Sequence, residues 1–229
     1  MSSLTSRVLV VCSRTPGPDD TTGDRCWQLA ESLASANDVI LALPQVSELF
    51  HENFTVVYYN ARNVGLVARD SDLVICDAGA LESHARLVDS GKPIAVDLAG
   101  TDASMDGLAT ADFFFCQSEE ERRVWLEYLE DCGRVNPHTL DGDNDLRSLI
   151  DVVRPGDRVQ PLLDYCAVPR FARDRGTRFS SAVLPVAPPR PGSPGHYWRR
   201  FCYLMRNGGI RAVWSRIRAV IKRRISGSG

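Results

Sequence analysis

Six short apolar runs constrain the fold of this 229-residue chain more than any other feature. The first is Arg7-Val-Leu-Val-Val-Cys12, apolar at every position after its arginine. A strand with one wet face alternates polar and apolar residues. A run without alternation must be buried on both faces, which is the condition of a strand inside a parallel sheet. Similar runs follow at 38–43, 54–59, 72–76, 93–98 and 112–117. Helical patterns separate them. The first has Trp27, Leu29, Ala30, Leu33 and Ala34 on one side, with Thr21 or Thr22 as its cap. Others lie around 62–69 and from about 80 to 90. The last runs from 118 to 131, where Ser118 and Glu121 form a capping box and Val124, Trp125, Tyr128 and Leu129 an apolar face. This alternation predicts an α/β fold: one doubly wound, Rossmann-like, mostly parallel sheet. Ligands of such sheets bind off the carboxyl ends of the strands. Those ends are residues 13–23, 77–79, 97–102 and 117–118.

Beyond residue 150 the pattern changes. Arg154-Pro155-Gly156 breaks the chain, 160–166 has the length of one or two helical turns, and 176–195 holds five Pro and three Gly, as a linker does. The expected divisions are therefore 1–156, 157–195 and 196–229. Charge follows the same division. Residues 1–150 hold 11 basic and 25 acidic residues, net −14; residues 151–229 hold 16 and 4, net +12; together they give the overall −2. From His196 to Ile225 there are nine Arg or Lys and no acidic residue. Apolar side chains recur there at 210, 213, 214, 217, 220 and 221, with Arg211, Arg216, Arg218, Lys222 and Arg223 on other faces. This is the pattern of a basic amphipathic helix lying on an anionic membrane, with Trp198, Phe201 and Trp214 entering the interface and Arg211, Arg218 and Lys222 meeting head groups. The alternative is that it folds back on the acidic body. That acidic body disfavours nucleic acid as a partner.

Met1 to Arg7 is polar, and the apolar run after it is too short for a signal-peptide core. No stretch reaches membrane-spanning length. The expectation is a cytoplasmic protein held peripherally at the inner face of the cell membrane. Seven cysteines without a CxxC pair, and four scattered histidines, offer no ligand spacing. Cys12, Cys76 and Cys116 read as small buried hydrophobes of a reducing compartment, and neither a metal nor a cofactor is expected.

Four stretches resemble the N-terminal half of a GT-B glycosyltransferase of family 4. They are Arg7-Val-Leu-Val-Val-Cys with Gly23-Asp-Arg-Cys-Trp-Gln-Leu-Ala-Glu-Ser-Leu; Asp72-Leu-Val-Ile-Cys-Asp; Ala111-Asp-Phe-Phe-Phe-Cys-Gln-Ser-Glu-Glu-Glu-Arg with Trp125-Leu-Glu-Tyr-Leu; and Leu146-Arg-Ser-Leu-Ile-Asp-Val-Val-Arg-Pro-Gly156. The resemblance covers residues 7–156. It implies an acceptor cleft lined by Thr22, Gly23, Arg25, Asp77, Gly79 and Thr101, and a sugar or lipid-linked sugar acceptor. Asp77, Asp97 and Asp102, at predicted strand ends, are candidates for the base, with His84 behind them. Each has a plainer reading as well: Asp is favoured in caps and turns, and Gly23 suits tight strand–helix packing. Glu119-Glu120-Glu121 reads as a solvated first helical turn.

The departures from the family are as informative. The family's donor domain carries two Glu separated by seven residues, yet the last Glu here is Glu130. About 70 residues follow Gly156, roughly half of what a Rossmann-like half requires. Gln160-Pro-Leu-Leu-Asp-Tyr-Cys-Ala-Val-Pro-Arg170 resembles the material that follows the donor domain in relatives. The resemblance thus implies a transferase-like protein whose donor half is missing, inactive alone or completed by a second glycosyltransferase or donor-domain partner. The alternative is a non-catalytic membrane-attached scaffold. A third possibility, an unrelated small-ligand α/β enzyme, requires a convergent polar site that the sequence does not display.

Overall fold

The computed structural model describes residues 6–17, 21–99, 105–140 and 143–172. Its centre is a seven-stranded sheet in the order β3-β2-β1-β4-β5-β6-β7, every neighbouring pair parallel. The strands are β1 (Arg7–Val11), β2 (Asp38–Leu43), β3 (Thr55–Tyr58), β4 (Leu73–Asp77), β5 (Ile94–Asp97), β6 (Phe113–Cys116) and β7 (Ile150–Val152). The helices are α1 (Thr21–Ala34), α2 (Val64–Arg69), α3 (Ala78–Ser83), α4 (Met105–Thr110), α5 (Glu119–Asp131), α6 (Pro137–Leu140) and α7 (Gln160–Ala167). The doubly wound, Rossmann-like α/β reading holds.

The absence of alternation in the six runs has the expected cause. Val8 and Val10 face one core and Leu9 and Val11 the other, all at most 1 % exposed. The first core lies under α1 and α7; the second lies under α2, α3, α4 and α5. The chain starts at β1, moves outward to β3 and returns to β4 on the far side of β1. Crossovers in a parallel sheet are right-handed, so this reversal puts the helices of the two halves on opposite faces. It also opens a switch point between the carboxyl ends of β1 and β4.

Several local expectations need correction. Thr21 and Thr22 are helical residues of α1 rather than its cap. The buried side of α1 is Gly23, Cys26, Leu29, Ala30 and Leu33, with Trp27 and Ala34 only partly buried at its flank. The helix expected over 80–90 breaks at His84 into α3 and a 3₁₀ turn, Ala85–Ser90. In α5, Val124 and Tyr128 are half-exposed, and Arg122 joins Trp125 and Leu129 on the buried side. The Arg122 Nε donates to the Ile150 carbonyl at 2.7 Å, so its charge reaches the start of β7 while its stem lies in the core. Ser118 caps α5 by accepting from the Glu121 N–H at 3.1 Å, but Glu121 accepts from the Gln117 N–H, one residue before the cap.

The seventh strand is the largest addition. Ile150-Asp-Val is short and has a charge at its centre, so it lacks the signature of the other six. It pairs with β6, and Val153 extends the contact by donating to the Cys116 carbonyl at 2.8 Å. The packed body also runs past residue 156. Leu162, Tyr165 and Cys166 of α7 are buried in the α1-side core, and the Tyr165 ring stacks on Phe113 with centroids 4.6 Å apart. Asp112 closes this end: it accepts from the Ile94 N–H at 2.9 Å and from the Ala172 N–H at 2.8 Å.

No helix among the described residues is long and apolar enough to cross a membrane. The basic segment 196–225 lies outside the described residues.

Leu162→Ala tests whether α7 is part of the core. Truncating this fully buried side chain should destabilise the protein by about 2–5 kcal/mol in urea unfolding, as core Leu→Ala changes do. A linker residue would change stability by less than about 0.5 kcal/mol.

Candidate functional site

The carboxyl ends of β1, β4 and β5 meet under the N-terminal turns of α1, at the switch point. Asp77 and Asp97 end adjacent strands and are register partners. Both are 4 % exposed. Two ionised carboxylates side by side in an apolar surrounding repel and are poorly solvated, so each requires its own compensation.

Asp97 is compensated by charge. Its Oδ2 lies 2.6 Å from the Arg25 Nε, and its Oδ1 accepts from the Ala99 N–H at 3.0 Å. Arg25 also donates to the Val153 carbonyl at 3.0 Å, so one side chain ties α1 to β5 and to the end of β7. Burial pushes the Asp97 carboxyl above its ordinary range, the Arg25 charge and hydrogen bond pull it back, and the Asp77 charge adds to the rise.

Asp77 is compensated by hydrogen bonds. Its Oδ1 caps α3 by accepting from the Ala80 N–H at 2.8 Å, and its Oδ2 accepts from the Ser13 N–H at 2.6 Å. It therefore fastens the loop after β1 to the start of α3. The plainer reading of this aspartate, as a cap, is the one the geometry displays.

The glycines are explained by close approach. A Cβ at Gly23 would stand 2.7 Å from the Pro16 nitrogen and 2.8 Å from its Cα. The loop after β1 thus lies directly on α1, and only glycine fits. At Gly79 a Cβ would meet Asp77 Oδ1 and Ser13 Oγ at 3.2 Å. Thr22 lies in the first turn of α1, where its carbonyl accepts from the Cys12 thiol at 3.8 Å. Thr101 and Asp102 lie outside the described residues. The fold therefore gathers Thr22, Gly23, Arg25, Asp77, Gly79 and Asp97 at one edge.

His84 is the C-cap of α3, part-buried, and its Nδ1 has no hydrogen-bond partner among the described residues. Burial lowers its pKa, which favours the neutral ring. It meets Tyr59 edge-on, with centroids 5.1 Å apart.

Residues not foreseen also gather here. Cys26 lies under α1 with its Sγ 4.0 Å from Asp77 Oδ2. The Tyr59 hydroxyl reaches across β2 to donate to the Cys12 carbonyl at 2.9 Å. Neither has a motif; both are placed by parallel strand ends distant in sequence. A second cluster lies beside β6 and β7. Glu119 meets Arg147 at 2.8 Å and Arg158 at 3.5 Å, and Asp151 pairs with Arg147 and lies 3.7 Å from Arg158. The hydrogen bond from Arg147 holds the Glu119 carboxyl below its usual range. Glu119 is thus part of an ion-pair network rather than only a solvated first turn. Arg147 lies in a turn and Asp151 in β7, so no helical spacing announced this network.

A hollow of about 410 Å³ lies elsewhere, lined by Asp38 and by 49–56. Asp38 and Thr55 begin their strands, so this hollow is at the amino edge of the sheet, opposite the strand ends that gather the polar residues.

No family model matches the chain, and no curated protein matches it. Solved structures do. A putative epimerase from Bacteroides thetaiotaomicron matches at TM-score 0.35 and 11% identity over 50% of this chain and 72% of that one. The spinosyn forosaminyltransferase SpnP matches at 0.38 and 15% over 89% of this chain and 44% of its own. The glycosyltransferase SnogD from Streptomyces nogalater matches at 0.36 and 14% over 86% and 43%. The chain spans less than half the length of these two transferases. The fold assignment rests on the sheet itself, whose order and parallel sense are read directly from the chain.

The Arg25–Asp97 pair makes a sharp prediction. Arg25→Met leaves a buried carboxylate without a counter-charge and should cost about 3–5 kcal/mol at neutral pH. The sign of the pH dependence follows from the raised carboxyl. The folded state binds the Asp97 proton at higher pH than the unfolded state does. Stability from this group is therefore lost as pH rises from the ordinary carboxylate value through the folded one. Removing Arg25 extends that window upward. Urea unfolding of the variant should approach wild type as the pH is lowered toward the ordinary carboxylate value; a pH-independent deficit would contradict the assignment.

Proposed function

We propose that this chain works as the acceptor-side half of a GT-B-type glycosyltransferase, binding a sugar or lipid-linked sugar acceptor and depending on a partner for the nucleotide-sugar site. One observation carries the reading. Only the residues from Val153 to Val159 separate β7 from α7, and α7 packs straight back on the sheet. In the family that the sequence resembles, a second Rossmann-like half occupies this point and a segment like 160–170 returns after it. Here the return helix follows at once, which leaves no room for a donor domain between the two.

The chemistry fits a binding role. Glycosyl transfer needs a base to take the proton of the acceptor hydroxyl as the nucleoside diphosphate leaves. Asp77 spends its oxygens on two backbone N–H groups, and Asp97 is held by Arg25. Neither presents an uncommitted carboxylate to the edge. Such a half supplies surface and positioning, and the partner supplies the donor and the charge that stabilises the leaving group. The same commitment of Asp77 and Asp97 favours the second reading, a membrane-attached scaffold without catalysis.

Two measurements bear on this. The full-length protein, assayed alone with UDP- and GDP-sugars and lipid-linked acceptors, is expected to show no turnover; robust turnover by the single protein overturns the half-site reading. The basic segment is proposed to bring the protein to the inner face of the cell membrane. Sedimentation with phosphatidylglycerol vesicles should show binding that weakens with salt. Replacing Arg211, Arg218 and Lys222 by alanine should remove about 3 kcal/mol, at about 1 kcal/mol per residue, or roughly a hundredfold in affinity. Unchanged vesicle binding would leave the segment to the acidic body instead.

A further inference from the structure

We propose that Cys12, Cys26 and Asp77 form a binding site for a thiophilic divalent cation of the Zn(II) class. The two thiol sulfurs and a carboxylate oxygen all lie within 4.8 Å of one another. They come from three elements that meet only in the fold: the end of β1, the second turn of α1 and the end of β4. All three residues are buried, at 0 %, 3 % and 4 % exposure.

Spacing and rigidity support the site. Zinc binds sulfur at about 2.3 Å and carboxylate oxygen at about 2.0–2.2 Å, so two ligands of a tetrahedral ion stand roughly 3.5–4 Å apart. The Cys26 Sγ to Asp77 Oδ2 separation is 4.0 Å, and the remaining spacings need to close by at most about 1 Å. Asp77 is a buried carboxylate that no cationic side chain pairs among the described residues; the nearby Arg25 is committed to Asp97. Binding releases both thiol protons to solvent, so the ion with two thiolates and a carboxylate leaves the net charge of the site unchanged while giving Asp77 a directly bonded positive partner. The frame is already fixed. Cys12 donates its N–H to the Ala42 carbonyl at 3.0 Å and accepts on its own carbonyl from the Tyr59 hydroxyl. Asp77 is oriented by the Ser13 and Ala80 N–H groups, and its Oδ2 also accepts from the Cys26 thiol at 4.0 Å, the contact that a bound ion would replace. Two sulfurs and one oxygen select Zn(II), Cd(II) or Co(II) over Mg(II) and Ca(II), which prefer all-oxygen shells. Such an ion would lock the loop after β1, α1 and β4 together at the switch point. The site would form whether or not the chain works as a glycosyltransferase half.

The test uses metal-free full-length protein under a phosphine reductant, titrated with Co(II) and followed by its thiolate charge-transfer absorption. One equivalent should generate the band, and Zn(II) should abolish it while Mg(II) and Ca(II) do not. Cys12→Ser and Cys26→Ser should each lose the band. Asp77→Asn should retain it and weaken binding by at least the roughly 10–100-fold seen when an outer-shell partner is removed. Zn(II) should also raise the Tm of the wild type and not that of Cys26→Ser. If Cys12→Ser does not fold, Cys26→Ala, which removes the sulfur without adding a polar group, decides. No band in the wild type, or a band at full stoichiometry in Cys26→Ala, overturns the site and leaves the thiols as core packing.

Discussion

Everything in this fold depends on one constraint: a fully parallel sheet has no wet face, so both of its sides must be covered. Strands β4 to β7 run outward with α3, α4 and α5 gathered on one side. The opposite side of β5 and β6 presents Ala95, Phe113 and Phe115, all buried, and α1 lies over β1 and its neighbours. What completes the cover is α7, with Leu162 and Tyr165 against that aromatic surface. The return of the chain after β7 is therefore a structural requirement of the sheet. It is also the observation on which the functional reading rests. In the proposed reading, the same packing that completes the core stands where a two-domain transferase would leave for its second half.

The switch point shows how such a core handles charge. Asp77 and Asp97 are neighbours in register, buried, and adjacent to apolar strands. One is stabilised by a guanidinium, the other by two backbone N–H groups. These solutions make both residues architectural, since each fastens separate elements: Asp97 through Arg25 to α1 and β7, Asp77 to the loop after β1 and to α3. The same meeting of strand ends sets two thiols beside the Asp77 carboxylate, which is the geometric basis of the proposed cation site.

Much of this was legible from residues alone because apolar runs and cap chemistry are local. The six runs became strands within a residue or two of their expected ends, and Ser118 caps α5. Strand β7 was not legible, since three residues around Asp151 carry no period and gain their place only by pairing with β6. The buried face of α5 was misread at Val124 and Tyr128 because Arg122 packs its stem inward while its charged end finds the Ile150 carbonyl. At the site, the edge itself was foreseen, as were Asp77, Asp97, Gly23 and Arg25 as residues that belong to it. The partners were not: Arg25 to Asp97, Ser13 to Asp77 and Cys26 to Asp77 are contacts between segments far apart in sequence.

The sequence by itself determined the class of fold, the strand ends at which polar residues gather, and the separation of an acidic body from a basic segment. These follow from periodicity and composition, which need no knowledge of what lies next to what. Only the tertiary structure decided the order of the seven strands, the return of α7 to the open face, and the partner of each buried charge. A parallel sheet brings together strand ends separated by whole helices, and the electrostatics of a buried site are set by those neighbours.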